Sequence, residues 1–174
     1  MVVFEGAQGV LLDETHGFQP PHVTWTDCTF GNVYRILREA NAEPCLTRIG
    51  CLRSYFTRHG AGPFPTENQE ANKYVAENEL HNGQDEWQGN FRVGEFDYGL
   101  AGKALQIVDG VDYLSLSHLD KMGEGPEDVA SVLSIPIGIR AYGPSANDRS
   151  LHFELRERIE ASLEDSLSAE QPTV

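Results

Sequence analysis

"FDYGLAGKALQIVDGVDYLSLSHLD", residues 96 to 120, decides the fold class. Ala101, Ala104, Leu105 and Val108 recur at helical spacing and Gly110 ends the run, which predicts a helix. "DYLSLSHLD" then alternates from Tyr113 and Leu114 onward, which predicts a strand running out at His118 to Asp120. A helix feeding directly into a strand is the unit from which α/β proteins are built.

Working outward, the same alternation recurs. "NVYRILREA" sets Val33, Ile36 and Leu37 on one helical face, and "CLTRIGCLRSYFTR" has the composition of a strand pair or one bent strand. Thr66 and Gln69 have capping-box spacing before "EANKYVAENEL", where Ala71, Tyr74 and Val75 share a face. "VLSIPIGIRAYGP" holds a further strand, and Leu151, Leu155, Ile159 and Leu163 form the stripe of a C-terminal helix. At the other end, Val2 to Phe4 reads as a buried strand entering the glycine turn of "EGAQG", so the chain is expected to begin inside a fold. Residues 6 to 30, 81 to 94 and 121 to 128 read as loop or turn. The expected architecture is α/β, a mainly parallel sheet with flanking helices, in one domain over residues 1–167 with a frayed tail at 168–174. Such sheets take ligands beyond the carboxyl ends of their strands, where "FEGAQG", "SHLD" and "AYGP" would sit.

Composition narrows the partners. The 174 residues carry 13 Lys plus Arg against 27 Asp plus Glu, a net charge of −14, which argues against a broad nucleic-acid surface. No apolar run approaches the roughly 18 to 20 residues that span a bilayer, and "MVVFEGAQGVLL" lacks a basic leader region, so a cytoplasmic location is expected. Cys28, Cys45 and Cys51 are odd in number and lack metal spacing, which predicts reduced and mostly buried thiols.

The generic phosphate-loop, dinucleotide, zinc-protease and serine-hydrolase motifs do not occur in the chain. Smaller groups remain. Gln8, between two glycines, offers a carboxamide that both donates and accepts, suited to a purine edge, although "GAQG" equally suits a tight turn. Thr24, Thr26 and Thr29 with Asp27 could bond phosphate or ribose oxygens, or simply form turns. His16 and His22 have no partner at metal spacing. "TRHGAGPFPTEN", residues 57 to 68, sets glycines and prolines beside Arg58 and His59, a thinned and stiffened backbone where a ligand can approach closely. Arg92 is a candidate carboxylate clamp or surface ion pair, and Asp120 a candidate acceptor for a guanine-like edge or a helix cap.

Together "VFEGAQGVLLDETHG", "VT" at 23 to 24, "TRHGAGPFPTE", "G-x-F-D" at 94 to 97, "SHLD" and "YGP…DR" resemble the second half of adenylosuccinate synthetases, over about residues 2 to 149. The resemblance implies part of an incomplete P-loop-type fold. It also implies a ligase in which a nucleoside triphosphate with Mg²⁺ phosphorylates the 6-oxygen of IMP and aspartate's amine displaces that phosphate. It implies roles for Gln8 at the purine 6-position, Thr24 at the phosphate, His59 at the ribose and Arg92 at aspartate. It likewise sets His118 and Asp120, with Tyr142, Gly143 and Pro144, around the base of GTP. The family's phosphate loop, catalytic aspartate and catalytic histidine have no counterpart here, so no catalytic residue or metal ligand is assigned and the chain alone is expected to be inactive. His118 stands where the family has Lys, and Ala141-Tyr142 where it has Ser-Thr, which leaves ATP open beside GTP. That pattern is similar to the phage-type branch making 2-aminoadenylosuccinate from dGMP, with a non-catalytic nucleotide-binding module as a further alternative. A homodimer is the family's usual assembly.

Overall fold

A computed structural model describes residues 1–78, 89–121, 126 and 128–169. In chain order the elements are α1 (Gly31–Glu39), β1 (Ile49–Arg53), β2 (Phe56–His59), α2 (Gln69–Asn78), β3 (Phe91–Gly94), α3 (Tyr98–Ile107), β4 (Tyr113–Ser117), α4 (Val129–Leu133), β5 (Ile137–Ala141), β6 (Arg149–Leu151) and α5 (Phe153–Ala169). The main sheet has the order β1-β4-β5-β6, parallel from β1 to β5 with β6 antiparallel at one edge. The expected α/β class with a mainly parallel sheet is what the chain adopts.

The run from Phe96 to Asp120 explains the centre of the fold. Asp97 caps α3, accepting from the Leu100 N–H at 2.9 Å, and Asp109 and Gly110 end it in left-handed backbone. β4 follows at once, and Leu114 and Leu116 pack with Val111, Val129 and Ile137 into the larger core, against which Leu105 and Val108 rest. Burying each such side chain contributes about 1.5–3 kcal/mol. Gly138 lets α5 close on the sheet. A Cβ there would lie 2.7 Å from Leu155 Cδ2 and 2.9 Å from Tyr113 Cβ, so the bare backbone admits Leu155, which is fully buried.

Several local expectations change. β1 and β2 follow one another without pairing: β1 joins β4, whereas β2 forms a separate antiparallel ribbon with β3. β3 occupies part of the expected 81–94 loop because Val93 is drawn into a second core with Tyr55, Ala71 and Val75; residues 81–88 lie outside the described residues. Helix α2 is capped by Asn68, whose Oδ1 accepts from the Glu70 and Ala71 N–H groups, and not by Thr66. Tyr74 is exposed, off the buried face of α2. Leu151 belongs to β6, because its backbone pairs with Ile139 before the helix begins.

Val2 and Val3, 77% and 78% exposed, form no strand, because an apolar run becomes one only where a neighbouring strand supplies the ladder. "FEGAQG" therefore does not end a strand. The cysteines are free thiols, with Cys45 and Cys51 exposed, so burial was the wrong expectation for those two. Helix α5 runs to Ala169, past the expected start of the tail, and residues 170–174 lie outside the described residues, as do 122–125 and 127 of the expected turn. No helix among the described residues is long and apolar enough to cross a membrane.

Candidate functional site

Two polar loops meet beyond the carboxyl ends of β4 and β5. The Leu119 N–H, two residues past β4, donates at 3.1 Å to the carbonyl of Ala141, the last residue of β5, and so holds "SHLD" beside "AYGP". His118 turns the chain in left-handed backbone at φ 59°, and the buried Ser54 hydroxyl donates to its carbonyl at 2.7 Å. Its ring meets the buried Tyr55 edge-on at 5.7 Å, with Nδ1 3.0 Å from the Ser117 hydroxyl. Asp120 is exposed, 3.4 Å from Lys121 Nζ.

The facing loop is braced by Asp148. Its Oδ2 accepts from the Ser145 hydroxyl at 2.7 Å and from the Ser145 N–H at 2.9 Å, while its carbonyl accepts from the Tyr142 N–H at 2.8 Å. The Ser145 hydroxyl first, and its N–H second, hold the Asp148 carboxyl below the usual aspartate pKa. Tyr142 and Pro144 stay exposed while Gly143 approaches Asp148 closely. The loop carrying His118 and Asp120 and the loop carrying Tyr142, Gly143 and Pro144 are thus joined through the Leu119–Ala141 bond.

A second cluster forms from the long N-terminal loop. Asp13 is 1% exposed and accepts from the N–H groups of Thr15 and His16 at 2.8 Å each and of Cys28 at 2.6 Å. Burial pushes its pKa up, but the Cys28, His16 and Thr15 bonds together outweigh burial and hold the carboxyl below the usual value. Thr24 is fixed by its N–H donating to the Leu12 carbonyl at 2.7 Å, and its hydroxyl lies 3.4 Å from that of Thr26. Asp27 Oδ1 accepts from the Thr29 N–H and hydroxyl, so it starts the turn into α1. An open cleft of about 370 Å³ lies alongside, with Asp13, His16, Asp27 and Arg35 in its wall. Gln8, exposed and at φ 66°, stands in the preceding segment.

The β2–β3 ribbon presents the third group. His59 is exposed, with its ring centroid 5.1 Å from that of Phe91. Arg58 donates to the Ala61 carbonyl, to Gln19 Oε1 and to the His22 carbonyl at 3.2, 2.7 and 3.2 Å. The ribbon that carries His59 is therefore tied to the loop that carries Thr24. Arg92 donates through Nη1 to the Gly60 and Gly62 carbonyls and through Nε and Nη2 to Glu67. Its fork is engaged by the 60–67 loop that follows β2.

Sequence reasoning missed Asp13, Arg58, Glu67 and Asp148 as organisers. The Ser145…Asp148 spacing is a capping box and was a usable signal for Asp148. For Arg58 none existed, because its partners on the other loop, His22 and Gln19, lie 36 and 39 residues away. Among the described residues no group of three or more His, Cys, Asp or Glu side chains could hold a metal ion.

A mainly parallel sheet flanked by helices, with polar loops gathered beyond the ends of β4 and β5, defines an α/β protein. The family profile described as adenylosuccinate synthetase matches residues 1–139, and the chain belongs to that family. It is 39% identical over 122 residues to the adenylosuccinate synthetase of Limosilactobacillus fermentum, covering 68% of this chain and 27% of that protein. It is 36% identical over 151 residues to the Synechococcus enzyme, covering 84% and 33%. The chain thus spans about a third or less of these curated relatives. Among solved structures, the fully ligated adenylosuccinate synthetase of Plasmodium falciparum superposes with a TM-score of 0.65 at 21% identity, covering 85% of this chain and 49% of that one. The cyanophage S-2L succinoaminodeoxyadenylate synthetase, bound to dGMP and dATP, gives 0.61 at 20% identity, covering 90% and 48%. At those identities the superpositions establish the fold.

Proposed function

We propose that this chain forms the nucleotide-recognition portion of a purine-biosynthetic ligase, joining aspartate to the 6-position of IMP with consumption of a nucleoside triphosphate. The γ-phosphoryl group passes to the purine 6-oxygen, aspartate's amine attacks C6, and phosphate departs with that oxygen. The observation that carries this reading, beside family membership, is the Leu119–Ala141 bond, which sets a carboxylate and an exposed aromatic residue on facing loops at the sheet's carboxyl edge.

In this reading Asp120 accepts N–H bonds from the triphosphate's base, and Tyr142 to Pro144, with His118, wall that base in. Thr24 bonds the monophosphate's phosphate, Gln8 meets the purine near its 6-position, and His59 faces the sugar. Arg92 meets aspartate's carboxylate only by exchanging one of its bonds to Glu67, since the guanidinium otherwise holds the 60–67 loop. Among the described residues no group of three or more His, Cys, Asp or Glu side chains could hold a metal ion; in this reading Mg²⁺ is held mainly by the N-terminal half of the enzyme and by the triphosphate. GTP or ATP is the co-substrate, the complete enzyme is a cytoplasmic homodimer, and the 174 residues, which contain no phosphate-loop motif, do not turn over alone.

The test is equilibrium binding of the purified chain to IMP, dGMP, GTP and ATP. Saturable IMP binding together with one triphosphate supports the reading. Binding of dGMP in place of IMP moves the substrate to the diaminopurine reaction, and binding of no purine nucleotide overturns the proposal.

A further inference from the structure

Arg58 and Arg92 sit opposite each other in the β2–β3 ladder, an unfavourable cross-strand pair unless each charge is used. Arg92 is used by Glu67. Arg58 forms no ion pair among the described residues, yet it is half-buried, and burial first and the Arg92 charge second pull its pKa below the usual arginine value. Its fork reaches across to the other loop, to Gln19 Oε1 and the His22 carbonyl, while Nε holds the Ala61 carbonyl. Gly62, at φ 119°, is shaped around it, because a Cβ there would overlap the Arg58 guanidinium.

The consequence is geometric. His22 lies two residues before Thr24, and Arg58 lies one residue before His59. Arg92 independently holds Gly60 and Gly62, so the ribbon loop keeps its shape without Arg58, whereas the 19–24 loop loses the Gln19 and His22 bonds that tie it to the ribbon among the described residues.

We infer that Arg58 is a positioning residue that fixes the Thr24 hydroxyl relative to the His59 loop, so that one nucleotide meets phosphate and sugar contacts at once. This rests on the reading of Thr24 and His59 as nucleotide contacts. A planar fork is required, since a single ammonium does not span Gln19, His22 and Ala61 together.

The experiment compares affinity for a monophosphate with affinity for its nucleoside, IMP against inosine and dGMP against deoxyguanosine, in the purified 174-residue chain and its variants. The wild-type chain is expected to prefer the monophosphate. Arg58→Lys and Arg58→Gln should each reduce that preference about tenfold or more, in line with the sensitivity of positioned contacts to small displacements. Nucleoside affinity should change little. Thr24→Val should reduce the preference in the wild-type background and add nothing to Arg58→Lys. Gln19→Ala, which deletes one contact only, should give a smaller loss and serves if the Arg58 variants do not fold. Equal binding of monophosphate and nucleoside by the wild-type chain overturns the nucleotide-site reading and the inference with it. A wild-type preference retained in Arg58→Lys and Gln19→Ala overturns the inference alone.

Discussion

Arg92 and Glu67 form a two-point ion pair, Nη2 to Oε2 at 2.6 Å and Nε to Oε1 at 3.1 Å, while the same guanidinium holds the Gly60 and Gly62 carbonyls. One side chain thereby fixes both ends of the glycine- and proline-rich loop. Glu67→Ala removes the carboxylate but leaves the carbonyl contacts, and because the pair is partly solvated the expected cost is about 1 kcal/mol. The urea midpoint of the variant measures it.

Acid should unfold the chain through its hydrogen-bonded carboxylates. Asp13 and Glu67 both have folded pKa values below their ordinary ones: for Glu67 the Arg92 bond lowers it, burial opposes, and the Arg92 charge adds to the lowering. A lowered folded pKa means that the unfolded chain takes up protons first. The stability from these groups is complete above about pH 5 and is lost as pH falls past their unfolded values near 4 and on through the lower folded ones. Unfolding free energies at pH 6, 5, 4 and 3 should therefore be level and then fall, with a shallower fall in Asp13→Asn and Glu67→Gln.

The cap of α2 separates two neighbouring residues. Asn68→Ala should cost about 1 kcal/mol, since Asn68 Oδ1 serves two N–H groups. Thr66→Val should be neutral or stabilising, because the Thr66 hydroxyl is buried and has no hydrogen-bond partner among the described residues. Thermal melts of the two variants distinguish them directly.

What the sequence disclosed was local. The helix-to-strand run from Tyr98 to Ser117 could be read because its period changes at Gly110, and "SHLD" and "AYGP" could be placed because both follow apolar strands. The Thr66 cap was misread because a capping-box spacing carries no information on which side chain faces the helix. Val2 to Phe4 was misread because an apolar run does not reveal whether a partner strand lies beside it. Arg58 was invisible as an organiser for a third reason: Gln19 and His22, its partners on the other loop, are brought to it by tertiary structure alone.

Asp13 is the group on which the N-terminal loop depends. Asp13→Ala leaves the N–H groups of Thr15, His16 and Cys28 without their acceptor, at a cost of about 3 kcal/mol or more. Amide hydrogen exchange should show lost protection at Cys28, with the β4–β5 pairing still protected.

The central claim, that two nucleotide-recognition faces lie on this chain, is tested most directly by mapping amide chemical shifts during titration with IMP and then with GTP or ATP. Saturable shifts at Gln8, Thr24 and His59 with IMP, and at His118 to Asp120 and Tyr142 to Pro144 with the triphosphate, are the predicted result. Shifts that do not saturate, or that fall outside both sets of residues, would contradict it.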